Sequence, residues 1–205
     1  RMDTLAKLVG EPAPVRMMRL FLLNENALEL EEIVSRSRVA KTTARKEINS
    51  FMGMGFIKNK FITKEGYRGT KKKVQAWYLD PTFQYLNPIR DLLVDPHILL
   101  EEDMLKRFRP IGKIKLMIVS GVFVGESKSR IDILLVGDKF RKNVLQQVVK
   151  GLEAEIGKEL NYVIFDTEEF KYRIEMRDKL VCDVLDLPHE RLIDLFQLST
   201  YMISK

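Results

Sequence analysis

Few side chains in this sequence suit covalent or metal chemistry, and their spacing narrows the possibilities quickly. There is one cysteine, Cys182, and two histidines, His97 and His189, far apart in the chain. An internal disulfide is excluded, and no Cys/His spacing suits a metal. Cys182 lies in an apolar-periodic segment and reads as a buried structural thiol. His189 follows Pro188 and reads as a turn residue. Arg130 and Asp132 stand two residues apart in a predicted strand, so their side chains share a face and are expected to pair. Glu126, Asp138 and Asp166 read as surface or capping carboxylates. The sequence therefore asks for no metal and no cofactor.

The second kind of chemistry is electrostatic. From Arg36 to Lys73 there are 12 Lys and Arg against 2 Asp and Glu, whereas the whole chain carries only +6. Such a concentration of positive charge is the footprint of a surface that meets a polyanion. Lys41, Thr42, Thr43, Arg45, Lys46 and Asn49 lie on one side of an expected helix, and such groups bond to phosphates and base edges. Arg38 precedes them. Lys58, Lys60, Arg68, Lys71, Lys72 and Lys73 follow in a predicted hairpin and would meet phosphates, making binding salt-dependent.

The elements that position these groups follow from periodicity and punctuation. Met2 to Val9 predicts a short helix ended by Gly10 and Pro12. A second runs to Leu22, with Val15, Met18, Leu20, Phe21 and Leu22 inward and Arg16 and Arg19 outside. The next has Leu28, Leu30, Ile33 and Val34 inward and its glutamates outward, and Ser35 to Val39 reads as a tight turn. A helix from about Ala40 to Met52 turns Val39, Ala44, Ile48, Phe51 and Met52 inward. Gly53 and Gly55 end it. Phe56 to Ile62 and Val74 to Leu79 then have strand character around a basic turn at 66–73. Phe51, Phe56, Trp77 and Tyr78 read as core aromatics.

Three helices followed by a hairpin with a basic tip resemble a winged helix-turn-helix across residues 12–80, most clearly in TTARKEINSFMGMGFIKNK. The resemblance implies that the helix carrying Lys41 to Asn49 enters the major groove and that Arg68 to Lys73 form a wing. It also implies double-stranded DNA as partner and a homodimer, because one recognition helix reads only a few base pairs.

Asp80-Pro81 marks a boundary, and residues 81–112 read as a helical linker, with helices at Pro88 to Val94 and Leu99 to Phe108. From Lys113 the pattern becomes α/β. Strands are predicted at Ile114–Val119, Arg130–Asp138 and Leu160–Asp166. A long amphipathic helix spans Phe140 to Ile156. Thr167 opens a helix through Arg177, and Lys179–Leu185 and Glu190–Met202 are the last two. SGVFVGESKSRIDILLVGD resembles the signature of the minimal nucleotidyltransferase fold over about residues 113–175. The family pattern has Gly-Ser where this chain has Ser120-Gly121, an Asp where it has Arg130, and a third carboxylate that aligns with Asn161. Only Asp132 matches. The resemblance thus implies a degenerate domain with a vestigial nucleotide site at Ser120, Gly121, Arg130 and Asp132 and no catalytic residues.

The fold class expected is α+β: a winged helix-turn-helix at 1–80, a linker at 81–112 and a degenerate nucleotidyltransferase-like α/β domain at 113–205. The expected function is DNA binding by a transcriptional regulator, with the second domain serving dimerisation or the sensing of an effector of unspecified chemistry. The alternative is a nucleotidyltransferase that uses the winged helix to recruit its substrate. No apolar run approaches the ~18–20 residues of a membrane span. The opening RMDTLAKLVG is too short and polar for a signal peptide. A cytoplasmic setting is the expectation.

Overall fold

The computed structural model describes residues 11–65, 71–94 and 101–198. The helix expected at Met2–Val9, the hairpin tip with Arg68, the start of the helix expected from Leu99 and the residues after Leu198 lie outside this set. Within it the chain is mixed α+β and divides into two compact units, residues 1–95 with 150–159 and residues 96–149 with 160–205.

The first unit opens with α1 (Pro12–Leu22), which has Pro12 in its first turn, where a missing N–H costs nothing. A two-residue strand, β1 (Leu28–Glu29), precedes α2 (Leu30–Ser37) and α3 (Lys41–Gly53). Two long strands, β2 (Ile57–Glu65) and β3 (Lys71–Leu79), form an antiparallel hairpin, and β1 pairs with β3, so the sheet order is β1-β3-β2. Helix α4 (Leu86–Leu93) follows. Val15, Phe21, Ile33, Ile48, Phe51 and Phe56 are central to one apolar cluster drawn from α1, α2, α3 and the hairpin base. Phe51 meets Phe56 edge to face at 5.5 Å between ring centroids.

Several local expectations change here. Leu28 is a strand residue because β3 offers Trp77 as its backbone partner, a long-range pairing that periodicity does not reveal. Helix α2 runs through Ser37, and the turn is Arg38-Val39-Ala40, with Arg38 in the left-handed region at φ 53°. Arg19 is not an outer residue. It is 1% exposed, and its guanidinium donates to the carbonyl oxygens of Leu93 at 2.7 Å and Glu155 at 3.1 Å. The arginine serves as a buried hydrogen-bond hub for carbonyls at two helix C-termini that need donors. Gly157, at φ 87°, lies so close to α1 that a Cβ there would sit 2.5 Å from the Arg19 carbonyl carbon. Met52 faces outward at 36% exposure, with Met17 buried in the core instead.

The second unit holds α5 (Glu101–Phe108), a short 3₁₀ turn, and a four-stranded mixed sheet of order β6-β5-β4-β7. Its strands are β4 (Lys113–Val119), β5 (Ile133–Asp138), β6 (Tyr162–Phe165) and β7 (Glu190–Asp194). β4 is antiparallel to both neighbours, and β5 is parallel to β6. A parallel pair needs a crossover, supplied by α6 (Lys142–Ile156), whose residues from Lys150 on group with the first unit. Helices α7 (Thr167–Glu175) and α8 (Lys179–Asp186) are capped by Asp166 and Asp178, whose side chains accept from main-chain amides of the first turn. Leu116, Ile118, Leu134 and Val136 pack with Phe165, Phe170 and Val184. Neighbours of opposite parity, Met117, Ile133 and Leu135, are buried too, which explains the continuous apolar runs of both central strands.

One strand expectation and one helix expectation are corrected. β5 begins at Ile133, so Arg130 to Asp132 precede the sheet and period-two alternation does not align them. The helix expected from Glu190 is instead an edge strand, because β4 presents a free side to residues 190–194. Cys182 on α8 is partly exposed.

Candidate nucleic-acid interface

Helix α3 has a sharp division. Ala44, Ile48 and Phe51 are buried, while Lys41, Thr42, Arg45, Lys46, Asn49 and Ser50 are exposed and Thr43 is half-buried. Residues at i, i+3 and i+4 share a face, so the sequence pattern alone forces this polar stripe once the core holds the other side. Arg38, at the left-handed turn before α3, is exposed.

The hairpin adds the second group. Its register sets Lys58 opposite Tyr78, Lys60 opposite Ala76, Lys64 opposite Lys72, Thr63 opposite Lys73 and Glu65 opposite Lys71. Directly opposed residues share a face of the sheet. Lys58, Lys60, Lys64 and Lys72 therefore occupy one face, and Lys71 and Lys73 the other, together with Phe61 and Trp77. The Trp77 indole lies 3.3 Å from the Met52 sulfur, so the Lys71/Lys73 face is the one that meets α3. Phe61 stands 74% exposed on it. Lys64 was not among the residues singled out from sequence, although it continues the period-two spacing of Lys58 and Lys60. Its match with Lys72 needs the register.

The cations divide by what they already bind. Lys41 pairs with Glu31 and Lys64 with Glu29. Lys58 contacts the Asp80 carboxylate at 2.8 Å, and this hydrogen bond, aided by the Thr82 amide and hydroxyl, lowers the Asp80 pKa to about 2. Lys60 sits over the Tyr78 ring at 5.0 Å. Arg45, Lys46, Lys71, Lys72 and Lys73 make no ion pair among the described residues and are exposed. Five cations in one unit thus keep their charge available. The chain matches no protein-family model and no curated protein.

The corner expected to carry a vestigial nucleotide site is assembled differently. Ser120, Gly121 and Asp132 come together in the second unit, at the end of β4 and just before β5. Asp132 is 5% exposed. Its Oδ1 accepts from the Val122 amide at 3.0 Å and its Oδ2 from the Asn161 amide at 2.9 Å. Its own backbone ties Ser120 to Asn161, through bonds of 2.9 Å and 2.7 Å. The buried Ser120 hydroxyl lies 2.9 Å from the Ser129 hydroxyl and 3.2 Å from the Pro188 carbonyl oxygen. Gly121 is at φ 56°, and a Cβ there would fall 2.2 Å from Asp132 Oδ1. Asp132 therefore pairs with main-chain amides rather than with Arg130. Arg130 lines a separate cleft of about 340 Å³ with Arg173, Asp178 and Lys179. Asp138 binds Lys115 at 2.8 Å and the Thr167 hydroxyl at 2.8 Å, and these bonds lower its pKa to about 2. Among the described residues no group of three or more His, Cys, Asp or Glu side chains is arranged to hold a metal ion, and no helix is long and apolar enough to cross a membrane.

Proposed function

We propose that this chain is a double-stranded DNA-binding protein of the transcriptional-regulator type. The observation that carries the proposal is the group of exposed, unneutralised cations in one unit: Arg45 and Lys46 on α3, Lys71, Lys72 and Lys73 on the hairpin. Asn49 and Thr42 stand on the same α3 stripe and are suited to base edges. The order α1, short β1, α2, a three-residue turn, α3 and hairpin supports a winged helix-turn-helix reading of this unit. In that reading α3 lies in the major groove, and Lys71 and Lys73 contact the backbone beside it. A homodimer in the cytoplasm completes the proposal, since two half-sites give the specificity that one helix lacks.

The antiparallel β4–β5 pair and the β5–α6–β6 crossover support a degenerate nucleotidyltransferase-like reading of the second unit, with a role in dimerisation or effector sensing. The burial of Asp132, with each of its oxygens already accepting from a backbone amide, weighs against the alternative of active nucleotidyl transfer, because a metal would have to compete with both bonds at a carboxylate closed off from solvent.

The test is binding of the full chain to random duplex DNA across a salt series. Steeply salt-dependent binding, weakened by replacing Lys71, Lys72 and Lys73 with Ala, is the expected result. No binding at low salt would overturn the reading and make the stripe a solvated or protein-facing surface.

A further inference from the structure

The second unit holds a groove of about 740 Å³, within the ~300–1,000 Å³ of small-molecule sites. Its apolar lining is Leu105 from α5, Ile114 from the start of β4, Ile193 near the end of β7 and Leu195 just after it. Leu195 is 71% exposed. Its amide already donates to the Lys115 carbonyl oxygen at 2.8 Å, so what it leaves open is side chain rather than backbone.

The rim carries four cations and one carboxylate, Glu102, and its cations are not equivalent. Lys106 is taken by Glu102 at 3.3 Å and Lys115 by Asp138 at 2.8 Å. Arg109 and Lys113 also line the groove, are exposed, and make no ion pair among the described residues. An apolar trough with two available cations at its edge fits a ligand with an apolar body and one anionic end. A guanidinium holds a carboxylate in a bidentate fork, with the ammonium as a second point charge. A nucleic acid would need a longer row of cations and would leave the floor unfilled.

We propose that this groove binds a small amphipathic anion, an alkyl chain ending in a carboxylate. The assignment is independent of the DNA reading, since every lining residue belongs to the second unit.

The experiment is a fluorescence titration of the full chain with dansyl-undecanoic acid below its micelle concentration, with dodecanoate and dodecanol as competitors. Saturable binding is expected, displaced by dodecanoate about tenfold better than by dodecanol. Arg109→Glu/Lys113→Glu should weaken dodecanoate at least about tenfold and leave dodecanol unchanged, whereas Leu195→Glu should weaken both. All three positions are exposed, so the variants should keep the wild-type circular dichroism spectrum. Absence of saturable binding, or equal affinity of wild type and the charge-reversed variant for dodecanoate, would overturn the proposal. So would a groove closed by a second copy, seen as a wild-type dimer that excludes the probe and a monomeric Leu195→Glu variant.

Discussion

The α3–hairpin surface and the Ser120–Asp132 corner both drew notice as clusters of polar side chains, and they use those side chains in opposite ways. On the first, Arg45, Lys46, Lys71 and Lys73 stand exposed with no ion pair among the described residues. At the second, each oxygen of a buried carboxylate is held by a main-chain amide, and the neighbouring serine hydroxyls bond to each other and to carbonyl oxygens. Exposed cations lose little when a polyanion displaces their counterions. A buried carboxylate held by an amide on each oxygen loses about 1–3 kcal/mol for each such bond that another partner displaces. A motif therefore signals a site only when its polar atoms remain available after folding.

The sharpest way to break this contrast is at the corner. Gly121→Ala forces a Cβ toward Asp132 in a left-handed conformation and should cost roughly 3–5 kcal/mol in a urea unfolding experiment. Asp132→Ala, which strands two amides, should cost about 2–5 kcal/mol. Unchanged stability in both variants would return the corner to the list of available sites.

The next largest effect separates the two faces of the hairpin. Lys71→Ala/Lys73→Ala should weaken DNA binding roughly a hundredfold at moderate salt and lower the salt slope by about 0.9 per lost contact. Lys72→Ala, on the face away from α3, should do much less. Equal losses per lysine would mean that both faces meet the DNA.

Within α3, Asn49→Ala should cost about tenfold on a preferred sequence and little on random DNA, the mark of a base contact. A uniform loss on all sequences would move Asn49 to the phosphate group.

The smallest effect compares the two depressed carboxylates, one in each unit. Asp80, held by Lys58 and then Thr82, and Asp138, held by Lys115 and then Thr167, both have pKa values lowered from 3.8 to about 2. The folded state binds fewer protons than the unfolded chain in this range. Each contribution is therefore complete above pH 4 and lost as pH falls toward 2. Asp80→Asn and Asp138→Asn should each flatten the acid limb of the stability curve. A variant with the wild-type acid profile would show that its carboxylate is not held as described.

Most helices and the central strands were legible from periodicity, which is a local property. Inward positions such as Val15, Ala44, Ile48 and Phe51 follow from the 3.6-residue repeat, and Leu134 and Val136 from an unbroken apolar run flanked by turns. The misreadings share a cause. Leu28–Glu29 and Glu190–Asp194 are strands because β3 and β4 offer free edges from distant parts of the chain. Arg19 is buried because carbonyls of Leu93 and Glu155, 74 and 136 residues away, converge on it. The candidate interface was largely readable, because a charge run and a helical stripe are both written locally. The split of the lysines between hairpin faces was not.

By itself the sequence determined where most helices and the central strands lie and where positive charge is concentrated. The tertiary structure decided which polar groups stay free. Register placed Lys71 and Lys73 on the α3 side, and the approach of Val122 and Asn161 closed Asp132. The reason is physical: propensity and amphipathicity act over a few residues, whereas hydrogen-bond satisfaction depends on atoms that only folding brings within about 3 Å.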